Sequence, residues 1–545
     1  MLGTVQTPVV LNSDNGWEIG WDYRFSCKSV DTTSWLEYNK FNSAAALKPH
    51  MYDGYGPPEN AKQREGMSML NQLHRNIQEH RRELYALTLL GILLLFMLEP
   101  LNSYLAWSLL YGYGLYLFVV LAAFYLYFHG LRDGWEIRLA VAFVLWHALS
   151  RILLGDVVLQ KEGYLVMKGP LMVCMLSVGL VLSRKQRRRF LHIFGGAAAI
   201  FFTLLGLMDL YSYVTRKALV YARTDVFTGI VHGFRMQILG YHPNTVGFWY
   251  LLSSALLVYL FLDCRRKAWR IPLAVMLLIH YLTLATTFSR NSELNFSACA
   301  GLLAALLLEK KLRVRKKTVR AALLVLTALL AGFLCFKGFG FGTGMLGKIH
   351  ESLKHPTVTA TAAEPTTAER RPDHATPVML SFPVRTLSAS DTEIPFQDPR
   401  SLTNDSQRFL IYKTVPEIFR QEPMRLLRGC FFDERLSISN PLLPENKTML
   451  HDSWLEILNY MGIPGLLLFL AFTVLVLKDC FKLYFSAVPE HTTAIKSLVL
   501  PVLAGFSFSI LESFLWFRTD FMTLSCYLFI GFVNAEVRES CAARC

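Results

Sequence analysis

Four residues of this 545-residue chain have the type and setting for work on an anionic substrate: Arg235, Arg290, Arg408 and His451. Arg290 stands in TTFSRNSE (286–293), between the apolar runs IPLAVMLLIHYLTLA and LNFSACAGLLAALLL. A charge beside such runs is costly at membrane depth, which makes it a functional candidate, although an arginine snorkelling to the interface is the commoner case. A guanidinium stays charged, and its planar fork can hold phosphate oxygens in pairs. His451 and Asp452 directly precede an apolar-periodic stretch (Trp454, Leu455, Leu458), after which come Gly462 and Gly465. That spacing predicts a short helix with an imidazole at its start. Imidazole titrates near neutral pH, and the helix N-terminus beside it favours an anion. Arg408 falls in the first turn of a predicted amphipathic helix in NDSQRFLIYKTVPEIFRQEPMRLLRG, where Phe409, Tyr412, Val415, Ile418 and Phe419 follow a start suited to capping. Arg235, in HGFRMQILGYHPN, is a further anion ligand or, equally, a solvated loop arginine.

The elements that must position these residues are apolar. The chain is 53% hydrophobic and 13% aromatic, and its repeated apolar runs of roughly 18 to 22 residues have the length of membrane spans. Twelve are expected, near 84–104, 107–128, 138–155, 164–182, 190–212, 244–263, 270–287, 292–308, 319–336, 462–477, 494–514 and 521–538. This is the pattern of an all-α polytopic membrane protein. The net charge of +14, from 55 Lys+Arg and 41 Asp+Glu, would suit nucleic acid were it not placed beside the spans. SRKQRRR, CRRKAWR, KKLRVRKKTVR and HRNIQEHRRE alternate with the apolar runs so that all four fall on one face, which the positive-inside rule makes cytoplasmic.

Four regions follow. Residues 1–83 form a cytosolic tail with a short amphipathic helix at about 67–83 and no apolar leader. Residues 84–336 carry spans one to nine, 337–461 a large extracytoplasmic loop, and 462–545 spans ten to twelve with a cytosolic C-terminus. Within the loop, 355–400 is rich in Thr, Ala and Pro and is expected to be extended or mobile, whereas 402–461 has helical spacing. Of ten cysteines only Cys430 stands clear of the membrane in that loop, so no disulfide framework is expected. CAARC at the C-terminus lacks histidine partners and reads as incidental. His242 and Asn244 read as caps of span six. His147, Arg151 and Glu512 read as interhelical hydrogen-bonding groups. Glu456, one turn beyond His451, either tunes it or faces water.

Taken together and in order, GYHPNTVGFWYLL, LTLATTFSRNSEL, SQRFLIY and HDSWLEILNYMGIPGLLLF resemble the O-antigen ligase and O-antigen polymerase superfamily, over roughly 190 to 480. The resemblance implies a GT-C-like membrane enzyme in the bacterial cytoplasmic membrane. Such an enzyme transfers a polyprenyl-diphosphate-linked glycan to a hydroxyl of a glycan, lipid or cell-wall acceptor on the outer face. It further implies that Arg290, with Arg408 and Arg235, holds the diphosphate, that His451 orients or deprotonates the acceptor, and that no metal or other cofactor is required. Inversion at the anomeric carbon by direct displacement follows from that scheme. Two departures stand out: the turn after the loop helix, RGCFFDERL, has only Gly429, and Asp452 replaces an amide or serine. A transporter of lipid-linked glycans and a non-catalytic assembly scaffold are the competing readings. Against the first, the connection between spans six and seven is only CRRKAWR, while the long loop falls between nine and ten. The scaffold would leave Arg290 and His451 unexplained.

Overall fold

A computed structural model describes residues 80–98, 115–154, 159–221, 225–231, 235–238, 242–312, 316–354, 385–388, 406–430, 450, 452–488, 491–512, 515–516 and 520–542. The tail with most of its expected amphipathic helix, and His451 itself, lie outside the described residues. A helix overlaps each of the twelve apolar runs. They are α1 (80–97), α2 (Leu115–His129), α3 (Trp135–Leu153), α4 (Leu159–Val181), α5 (Arg184–Thr215), α6 (Pro243–Asp263), α7 (Lys267–Thr286), α8 (Arg290–Glu309) and α9 (Lys317–Lys354). After the loop region come α10 (Ser406–Gln421), α11 (Arg425–Arg428), α12 (Ser453–Tyr484), α13 (Thr493–Ser497), α14 (Val499–Ser509) and α15 (Phe521–Ala542). Among the described residues six helices, α5 to α9 and α12, are long and apolar enough to cross a membrane, which is compatible with a membrane protein.

Two of the expected spans differ in outline. The eleventh divides into α13 and α14 at Leu498, because Pro501 has no N–H to give the Ser497 carbonyl and its ring crowds that oxygen. The ninth does not stop at 336: α9 runs on to Lys354, so the segment after it begins later than 337. At about 1.5 Å per residue a 38-residue helix is about 57 Å long. Its glycines let it continue against α7, for a side chain at Gly338 would meet the Tyr281 hydroxyl at 2.5 Å, and that hydroxyl donates to Cys335 O at 2.9 Å. At the far end His350 Nδ1 meets Val214 O at 2.6 Å, tying α9 to the C-terminal end of α5.

Helix α15 forms the buried centre, packed on α4, α12 and α14. It crosses α4 where Gly179 and Gly531 bring the two backbones together; a side chain at either would strike the other helix's carbonyl.

Helices are not the whole of the described fold. Four short strands, β1 (Lys217–Tyr221), β2 (Asp225–Val231), β3 (Arg235–Ile238) and β4 (Arg385–Ser388), make an antiparallel sheet in the order β3-β2-β1-β4. The first three fill the connection between α5 and α6. The fourth comes from the Thr/Ala/Pro-rich segment, and its Leu387 pairs with Ala218.

The two ends of the bundle differ in chemistry. One is basic and laced with ion pairs: Arg184 with Glu536 at 2.7 Å, Arg188 with Asp263 at 2.7 Å, Arg320 with Glu309 at 2.8 Å, and Arg538 with Glu136. The sheet, the α7–α8 turn and the start of α12 lie at the other.

Candidate functional site

The turn ahead of Arg290 is buried and held by local hydrogen bonds. Between α7 and α8 stand only Thr287, Phe288 and Ser289, with Phe288 in the left-handed region at φ 47°. Thr287 Oγ1 donates to Leu284 O at 2.7 Å, and Ser289 caps α8 by accepting from Ser292 N. Arg290 is thereby fixed as the first residue of α8, half-buried. The turn sits on α6 at Gly247, where a side chain would meet Ser292 Oγ at 2.8 Å and Ser289 Cβ at 3.0 Å.

The start of α6 joins the same junction. His242 is its cap, with Nδ1 accepting from Asn244 N at 3.2 Å, and Pro243 occupies the first turn. The Asn244 side-chain amide donates to Glu512 Oε1 at 2.5 Å, and its backbone carbonyl accepts from Ser292 Oγ at 3.4 Å. These two residues therefore cap and crosslink, as their sequence position implied.

The start of α12 is the third member. Asp452 Oδ1 accepts from Trp454 N at 2.8 Å and Leu455 N at 3.1 Å. Ser453 Oγ donates to Glu512 O at 2.8 Å, and Trp454 Nε1 donates to Ser509 Oγ at 2.9 Å. Asn291 closes the ring by donating to Phe508 O at 3.2 Å. The N-termini of α6, α8 and α12 thus converge around the C-terminal end of α14. Each carries a partial positive charge, offset in part at α8 by Glu293 and at α12 by Asp452 and Glu456 in or beside the first turn.

Carboxylates are present too, and three have structural work. Glu512 binds Asn244, Asp452 caps α12, and Glu456 Oε1 accepts from Leu450 N at 3.1 Å. Glu456 is 1% exposed, so the alternative in which it faces water does not hold. Instead it grips the backbone immediately before His451. Burial holds the Asp452 carboxyl above its usual range, against the two N–H groups that favour its charged form.

The expected short helix before the tenth span is residues 453–461, and α12 breaks after it at Gly462 (φ 68°, ψ −174°). Only glycine takes that conformation freely, and a side chain there would lie 2.5 Å from Leu427 O of α11. The carbonyls released by the break are collected by α3: Trp146 Nε1 donates to Met461 O at 2.8 Å and Arg151 to Tyr460 O, and Arg151 also donates, at 2.7 Å, to Cys430 O just after α11. Arg151 and Glu512 make the interhelical bonds that their sequence setting predicts; His147 does not, its buried ring packing edge-on against Trp516 with no hydrogen bond at Nδ1 among the described residues. Gly429, at φ 78°, packs on Tyr460 O from the other side.

Arg408 lies on the third residue of α10 and Arg235 opens β3, whose chain leads into the α6 cap; for both, the side chain lies outside the described residues. Leu450 and Asp452, on either side of His451 in sequence, lie at the junction, and His451 itself is outside the described residues. Sequence reasoning did not find the Asn244–Glu512–Ser453 link or the buried Arg425 of α11, whose Nε is 3.3 Å from Glu422. Their partners lie far off in sequence or in ordinary loop composition. Cys541 is a free, exposed thiol, and its companion Cys545 lies outside the described residues.

No protein-family profile, curated protein or solved structure matches this chain.

Proposed function

We propose that this chain is a membrane glycosyltransferase of the O-antigen ligase and polymerase type. It spans the bilayer about twelve times in a GT-C-like arrangement, its basic end in the cytoplasm and its polar junction on the outer face. The observation that carries the reading is the convergence of three helix N-termini, with Arg290 in the first turn of one and Asp452, which directly follows His451 in sequence, capping another. Partial positive charge from three directions, with a fork-shaped cation among them, suits a diphosphate whose negative charge grows as it leaves.

In this scheme the acceptor hydroxyl oxygen attacks the anomeric carbon from the face opposite the diphosphate. The carbon–oxygen bond to phosphorus breaks, and polyprenyl diphosphate departs with the electron pair. His451 takes the hydroxyl proton as the new glycosidic bond forms. Arg290, with Arg408 and Arg235, neutralises the leaving group. Fixing donor and acceptor in line supplies the remaining acceleration.

The test is transfer by the purified, reconstituted protein with a polyprenyl-diphosphate-linked glycan, with and without EDTA. Release of polyprenyl diphosphate with ladder-like glycan growth identifies a polymerase, and one discrete product on another acceptor identifies a ligase. Movement of the donor between leaflets without release would overturn the enzyme reading.

A further inference from the structure

At the basic end, remote from the junction, α5, α6, the α13–α14 corner and α15 leave a cleft of about 430 Å³. Its rim is charged and its walls are apolar. Arg184, Lys185 and Arg188 of α5 stand on the rim, while Leu191, Leu498 and Phe532 line the wall.

Most of the charge is already paired. Glu536 is shared by Arg184 at 2.7 Å and Arg187 at 2.9 Å, and Asp263 by Arg188 at 2.7 Å and His192 at 2.6 Å. Arg187 is 3% exposed and also binds Glu539 and the Gly179 and Leu182 carbonyls, so its donors are consumed. Four cations against two carboxylates line the cleft, an excess of two, and counting Glu539 outside it still leaves one. The uncompensated charge is Lys185, which is exposed and forms no ion pair among the described residues. A single excess positive charge over an apolar wall, at the end of a membrane bundle, fits an amphiphile with one phosphate diester. Basic pockets between spans at a cytoplasmic surface take lipid headgroups on the same physical grounds.

We propose that this cleft holds an anionic phospholipid of the inner leaflet, its headgroup phosphate at Lys185 and Arg188 and an acyl chain along Leu191, Leu498 and Phe532. The inference rests on the membrane placement of the bundle but not on glycosyl transfer. Full-length protein in detergent micelles is titrated with phosphatidylglycerol or with phosphatidylcholine of the same chains, and bound lipid is read by native mass spectrometry. Phosphatidylglycerol is expected to be retained in preference, and Lys185→Ala to weaken it about fivefold, the effect of one basic residue near a membrane surface. Lys310→Ala, also exposed at the basic end but outside the cleft, should leave binding unchanged. Equal retention of both lipids, an unaffected Lys185→Ala, or an equal loss with Lys310→Ala would overturn the proposal. So would displacement of the lipid by millimolar inorganic phosphate, since that would make the cleft a soluble-anion site. Failure of glycan transfer would leave this result untouched.

Discussion

Glu456 tests whether the start of α12 positions a catalytic group. Its Oε1 is the acceptor for Leu450 N at 3.1 Å, and Leu450 is fully buried, so that N–H is shielded from bulk water. Glu456→Ala leaves that N–H unsatisfied, which costs about 1–3 kcal/mol, or about 5- to 150-fold in the balance between docked and released backbone. His451 is the next residue, so release should appear in turnover: kcat for polyprenyl diphosphate release falls about 10- to 100-fold while KM stays close to wild type. Glu456→Gln keeps an acceptor and loses only the charge-assisted part of the bond, about 1 kcal/mol, so its kcat should stay within about tenfold. Both variants are compared in the reconstituted transfer assay, with thermal unfolding recorded alongside. Full activity in Glu456→Ala would refute the positioning role. Equal loss in both variants would show that charge, rather than the hydrogen bond, is what matters.

Gly462→Ala should lower stability by about 2–4 kcal/mol, combining about 1–3 kcal/mol for positive φ with crowding against Leu427 O. Gly344→Ala, in an open part of α9, should be neutral or slightly stabilising in the same thermal unfolding series. Asp452→Ala should cost about 1 kcal/mol through the lost cap at acid pH and less as the pH rises, whereas Asp452→Asn keeps an acceptor oxygen. Because burial raises the folded-state pKa of Asp452, its contribution to stability is present below the unfolded value and lost as pH rises through the folded one. Asn cannot ionise, so its unfolding midpoint should gain on wild type as pH rises above the ordinary carboxylate range of about 4, and the difference should shrink at the acid end.

The helices were legible because their signal is local. Apolar run length marked twelve places, and basic clusters sorted the bundle ends that the ion pairs of Arg184, Arg188 and Arg320 now draw together. Helix ends were harder: Lys337 and the glycines after it look like a stop, yet Tyr281 packs against that glycine surface and α9 continues. The sheet escaped notice because strands of four to seven residues give little periodic signal, and β4 finds β1 across more than a hundred residues of chain. At the junction, Ser289–Arg290 and Gly462 stood out in sequence, since a charge between apolar runs and a glycine at a helix break are both local features. The bond from Asn244 to Glu512 spans 268 positions. Nothing in one sequence pairs such residues, so the convergence of three helix starts became visible only in three dimensions.

The central claim is that the junction stabilises a departing diphosphate through Arg290. It is tested most directly by single-turnover release of polyprenyl diphosphate from saturating lipid-linked glycan by wild type, Arg290→Lys and Arg290→Ala. The account predicts a loss of about 10²- to 10³-fold in rate for Ala, the usual consequence of removing one donor to developing charge, with Lys in between because a point charge lacks the fork. An Arg290→Ala protein that releases polyprenyl diphosphate at the wild-type rate would contradict it.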